Sequence, residues 1–297
     1  MKNREPNQQD TDKSQQEKRP SSFRMTLHIL LPFAIYFVAH DVAQMVLSIL
    51  LDVSLNKGGE AYRQLVLEHA STISAAVSAI SMLIGLAFIW KMAKQELAFA
   101  GNDYMQTFGA LPLDQRITGY AFLIGLACSS AIGINIFFQL IGFTGSSETY
   151  REVQQNQYGV SFLIGMVLYG IISPLVEEIV FRGLIYNRMK HYYPPIIAIV
   201  ASSLFFGLYH GNMVQGVYGT VLGLLLACVY EMFHSFGAPF LFHAAANISI
   251  YTISYRTEDY QKIVTLPICV ISMTITVLLF LLLVRMKKSQ GESTKEL

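Results

Sequence analysis

The stretch GVSFLIGMVLYGIISPLVEEIVFRGLIYN, residues 159–187, decides the fold. It is an apolar run of the length that crosses a bilayer, which takes about 20 residues. Near its middle stand Glu177, Glu178 and Arg182. Charged side chains are costly in hydrocarbon, so these three must face other protein, and by default they mark a functional site.

Seven further apolar segments supply that protein. They run approximately 25–51, 71–93, 117–143, 194–210, 214–233, 237–255 and 262–285. The expectation is an all-α polytopic membrane protein of about eight transmembrane helices, with its polar cavity within the last five. Composition agrees: the chain is 53% hydrophobic and 14% charged, against about 25% charged in soluble domains. A net charge of +1 excludes a nucleic-acid binder, which needs a concentrated basic footprint. Cys128, Cys228 and Cys269 each lie inside an apolar run without CxxC or Cys/His spacing, and they read as packing residues.

The organisation predicted is a disordered cytoplasmic tail at 1–24, N-terminal transmembrane helices at 25–143, a second transmembrane region at 144–288 and a polar C-terminal tail at 289–297. The mixed stretch 94–116 is a candidate interfacial helix. With both termini inside, the inner loops and tails hold fifteen Lys and Arg and the outer loops five. That asymmetry places both termini in the cytoplasm. The two halves show no internal repeat of the kind many transporters carry.

Three polar elements stand in the second region. Glu178 and Arg182 are four residues apart, share a helix face and can pair. Glu177 lies about 100° around that helix and is left without a local partner. Pro174 removes a backbone N–H just before the pair, which would open space for water or a substrate backbone. The second element is Phe206–His210 and the third is His243–Asn247, whose two polar residues also share a face. Alone, each has a bland reading: a buried ion pair, an interfacial histidine, a polar bridge between helices. Together they supply a carboxylate base, a histidine to hold water and a pair of hydrogen-bond donors, which is a hydrolytic set. No Ser or Cys stands in an obvious nucleophile motif, so water is the expected attacker. His40 and Asp41 in the first span read as structural, with Asp41 paired to another span. Gly219 and Gly223 read as a close helix contact, and Glu231 and His234 as interfacial.

The sequence EExxFRG at Glu177–Gly183, FxxxH at Phe206–His210 and HxxxN at His243–Asn247, in that order and in separate spans, resembles a known family. It is that of the CAAX-protease and bacteriocin-processing (CPBP, or Abi) intramembrane glutamic endopeptidases, which includes the type II CAAX prenyl endopeptidases. The resemblance covers about residues 159–255. It implies that 144–288 is a catalytic domain acting on a membrane-associated peptide, a prenylated CAAX type or a leader, in a bacterial cell membrane. It implies Glu177 as general base, Glu178 and Arg182 as its support, His210 as a positioner of water, and His243 with Asn247 as the oxyanion hole. Zinc is disfavoured and no cofactor is expected, since the HExxH spacing that puts two His ligands on one helical face is missing. The alternatives are a transporter or proton relay built on the same groups, and a non-catalytic immunity or scaffold protein of the same fold. One geometric tension remains. In straight helices His210 falls near the outer end of its span, whereas Glu177 lies about ten residues from the inner end of its own. Tilt, a kink at Pro174 or an inward shift of the fifth span would bring them level.

Overall fold

The computed structural model describes residues 20–106 and 111–293, and every regular element among them is helical. In chain order these are α1 (Ser22–Lys57), α2 (Glu60–Glu68), α3 (Ala70–Gln106), α4 (Leu113–Leu140) and a 3-10 turn at Phe143–Ser146. There follow α5 (Glu148–Tyr158), the composite helix α6 (Phe162–Lys190), α7 (Pro195–Tyr209) and α8 (Met213–Phe233). The last three are α9 (Gly237–Ser254), α10 (Thr257–Ile263) and α11 (Leu266–Ser293). A helix satisfies its own backbone, which is the condition for crossing a lipid phase. The large side chains left on the outside are apolar, with Leu208 on α7 77% exposed and Phe88 on α3 67% exposed. That surface is the one lipid solvates.

All eight predicted segments are helices, but six are long and apolar enough to cross a membrane: α1, α3, α4, α6, α8 and α11. The fifth predicted span, α7, has 15 residues, and the seventh, α9, has 18 and falls outside the six. Helix α7 packs against α6 and α8 and leaves Ile196, Val200, Leu204 and Leu208 exposed on its other side, whereas α9 packs against α4, α6 and α8. The polar stretch after residue 93 does not lie as a separate interfacial helix; α3 runs unbroken through it to Gln106. Residues 107–110 lie outside the described part. Helix α1 begins within the stretch predicted as the N-terminal tail. Residues 1–19 lie outside the described residues, but Ser21 caps α1, its Oγ accepting from Arg24 N–H at 3.4 Å. At the other end α11 continues to Ser293, into the predicted polar tail, whose residues 294–297 also lie outside the described part.

One buried cluster runs through the bundle, from Ile29 and Tyr36 on α1 through Leu123 on α4 and Phe181 on α6 to Phe242 on α9. Glycines set the closest crossings. A Cβ on Gly207 of α7 would collide with the Gly216 carbonyl and Thr220 of α8, and one on Gly223 would press on Ser203 and Phe206 at 3.2–3.3 Å. The Gly219–Gly223 step is therefore a close contact, and the pairs run antiparallel. The sulfhydryls pack among helices, with Cys269 3.7 Å from the Gly133 carbonyl. Asp41 does not pair with another span. It bonds its neighbour His40, Nδ1 to Oδ1 at 2.9 Å, and is half exposed.

Candidate active site

The chemistry of α6 starts with its backbone. The helix is α over Phe162–Val167, π over Leu168–Ile172, α over Ser173–Glu178, π over Ile179–Tyr186 and α again to Lys190. In the first π turn the Ser173 N–H reaches back to the Leu168 carbonyl, and Pro174 has no N–H to offer. The Tyr169 carbonyl is thereby orphaned inside the membrane, where an unmet carbonyl is costly. Asn247 of α9 meets it, Nδ2 to O at 3.0 Å. The group freed by Pro174 is thus taken by protein rather than left to water or substrate. Helix α9 can come this close because Gly165 and Gly170 of α6 leave room for Tyr251 and Ile248.

The two glutamates are treated differently. Glu178 is fully buried, and its Oε1 accepts from Arg182 Nη1 at 3.0 Å and from His243 Nδ1 at 2.8 Å. Arg182 is also fully buried. Its Nη2 donates to the Gly223 carbonyl at 3.0 Å, and the guanidinium lies 4.7 Å over the Phe206 ring. Because Glu178 is held by a guanidinium, Nδ1 of His243 carries the proton in that bond, and Nε2 is turned to Glu177, 3.7 Å from its Oε2. Glu177 is 7% exposed and is not without a local partner: Ser173, one turn earlier, donates to its Oε1 at 2.5 Å. The spacing of four between Ser173 and Glu177 carried that signal in the sequence.

His210 closes α7. Its Nδ1 is 2.8 Å from the Phe206 carbonyl, and its ring stands over Gly219, where a Cβ would lie 3.4 Å from that Nδ1. Phe206 is the hub, edge-on to His210 at 4.9 Å and to His243 at 5.6 Å. The mismatch in depth is resolved by helix geometry. Fifteen residues make about 22 Å of α-helix, short of a hydrocarbon core of about 30 Å, and His210 at its end lines the same cavity as Glu177. In α6 a five-residue π segment lies between Phe162 and Glu177, and π winding puts more residues into each unit of length.

Glu177, His210, His243 and Asn247 line one cavity of about 380 Å³, together with Ser173, Tyr169 and Phe206. Glu178 and Arg182 stand behind its wall. The structure thus brings all six sequence-predicted residues to one place, four on the cavity and two beneath it. Among the described residues no three His, Cys, Asp or Glu side chains form a metal-binding group. Glu231, expected at the interface, instead ties helix ends together, accepting from Tyr186 at 2.6 Å and Lys190 at 2.7 Å.

Helices that cross a membrane around an enclosed carboxylate, guanidinium and imidazole cluster define an all-α integral membrane protein with a buried polar site. Residues 159–249 match the family model described as type II CAAX prenyl endopeptidase Rce1-like. A Bacillus subtilis (strain 168) protein named "Putative membrane peptidase YdiL" is 25% identical over 179 residues, 60% of this chain and 70% of that one. No solved structure matches the chain.

Proposed function

We propose that this protein is an intramembrane endopeptidase that hydrolyses a membrane-associated peptide with water activated by Glu177. One observation carries the assignment. Of the two adjacent glutamates only Glu177 lines the cavity, while Glu178 is fully buried and bonded to Arg182 and His243. In this reading Glu177 takes a proton from water, and His210, whose Nδ1 is engaged by a backbone carbonyl, offers Nε2 to hold that water. The water oxygen bonds to the peptide carbonyl carbon, and the carbonyl becomes an oxyanion. Asn247 spends one N–H on Tyr169 and has a second for that oxyanion; His243 joins it as donor when its Nε2 is protonated. The C–N bond then breaks, and the proton held by Glu177 passes to the amine that leaves. Glu178 and Arg182 hold His243 in place, within a catalytic region at 144–288. No step is routed through a metal. The protein sits in a bacterial cell membrane with both termini in the cytoplasm.

Purified protein in lipid nanodiscs, given an internally quenched membrane peptide, tests the reading. Wild type is expected to cleave, and Glu177→Gln to cleave about 10²–10⁴-fold more slowly, the usual contribution of a general base. Equal rates in the two proteins would exclude Glu177 as the base.

A further inference from the structure

We infer that the cavity opens to the outer, non-cytoplasmic face of the membrane and takes from that side an extended peptide segment with uncharged side chains. The word substrate rests on the peptidase reading; the direction of opening does not.

Each helix reaches the cavity from the same end. α3 contributes its first turns through Ser71, Ser74 and Ser78, and α8 its first turns through Gln215 and Tyr218. α4 contributes its last turns through Asn135, and α7 its C-terminal His210. Helix α5 forms the rim, with Tyr150, Gln154 and Asn156 on the lining. The opposite end is shut by Arg188 on Glu96 at 3.0 Å and on the His28 carbonyl at 2.6 Å, Lys190 on Glu231 at 2.7 Å, and Asn187 on Tyr230 at 2.9 Å. That shut end also carries Lys91, Lys94, Arg285 and Lys287, whereas Lys57, Arg63, Arg151, Arg256 and Lys262 are the Lys and Arg of the open end. Basic ends stay in the cytoplasm, so the open end faces out.

The lining specifies the ligand. Beside apolar side chains such as Phe138, Phe206, Val214 and Leu222, it holds amides and hydroxyls, two imidazoles and one carboxylate, Glu177, and neither Lys nor Arg. A free C-terminal carboxylate would be desolvated there with no cation to meet it. Burial pushes the Tyr150 hydroxyl up to about 12, so it remains a neutral partner at ordinary pH.

Two measurements test this. In a full-length chain with Cys128, Cys228 and Cys269 replaced by Ala, single cysteines are placed by Asn156→Cys at the rim and Lys94→Cys at the shut end. A membrane-impermeant maleimide on intact cells is expected to label the first and to reach the second only after permeabilisation. The reverse pattern overturns the outer opening whether or not the protein cleaves anything. Binding of fluorescent peptides to Glu177→Gln protein in nanodiscs reads the second half without catalysis. A Ser/Gln-rich segment is expected to bind at least about tenfold tighter, some 1.4 kcal/mol, than the same segment carrying Asp or ending in a free carboxylate beside the central residue. Equal or reversed affinities, or no binding of the neutral peptide, overturn the ligand class. Binding and outer labelling without any cleavage by wild type would support the inference and sink the peptidase reading alone.

Discussion

Nδ1 of His243 lies 2.8 Å from Oε1 of Glu178, the oxygen that also accepts from Arg182. Two residues 65 apart in sequence are thereby joined through a charge that neither water nor lipid reaches. The imidazole is oriented by a carboxylate on one side and aimed at the cavity on the other, the arrangement that holds a histidine in one tautomer.

Removing Glu178 should therefore cost stability before it costs chemistry. Glu178→Ala leaves Arg182 and His243 buried without their shared partner, a loss of about 3–5 kcal/mol for a broken buried pair. Thermal unfolding in detergent is expected to show a clear drop for Glu178→Ala and little change for Glu177→Gln. Equal melting temperatures for wild type and Glu178→Ala would contradict the bracing role.

Arg182 needs its planar fork. One arm meets Glu178 and the other the Gly223 carbonyl, and an ammonium on a single stem cannot reproduce that geometry. Arg182→Lys is expected to lose about 1–3 kcal/mol through the unmet carbonyl and the loosened charge. Chemical denaturation of the variant beside wild type measures it, and an unchanged midpoint would refute the two-armed role.

The bond Asn247 makes to Tyr169 and the oxyanion role proposed for it separate experimentally. As an oxyanion donor its loss should lower kcat about 10²–10³-fold with a smaller change in KM. As the partner of the Tyr169 carbonyl its loss should cost about 1 kcal/mol of stability. Kinetics and melting of Asn247→Ala read both, and a fall in stability with kcat intact would leave it a structural residue only.

The α7–α8 crossing positions His210, and Gly207 sets its spacing. Gly207→Ala would drive a methyl into the Gly216 carbonyl and Thr220. Overpacking of this kind costs about 1–3 kcal/mol and would move His210 away from the cavity. The expected readout is a lower melting temperature together with slower peptide cleavage. A variant as stable and as fast as wild type would show that the crossing has slack.

Much of this was written in local spacing. The Glu178–Arg182 pair follows from four residues of separation on one helix, and the Gly219–Gly223 contact from a small-residue step. The bond from Ser173 to Glu177 was equally legible from its spacing of four, though a partnerless Glu177 was expected. What spacing could not reveal was the π winding before the glutamates, because Pro174 is local but the Asn247 that meets the freed Tyr169 carbonyl comes from a distant helix. The pairing of His40 with Asp41 was hidden for the opposite reason: adjacent residues point apart on an ideal helix, and only a rotamer choice brings them together.

The amino-acid sequence by itself determined that the chain is a bundle of apolar helices, and which polar residues would be too costly to leave in lipid. That follows because hydrophobic length and burial cost are properties of a segment alone. The tertiary structure decided which glutamate faces the cavity, that Glu178 serves Arg182 and His243 at once, and that His210 lines the same cavity as Glu177. Those are outcomes of how helices cross, and crossings depend on glycines, orphaned carbonyls and ring contacts supplied by segments far apart in the chain.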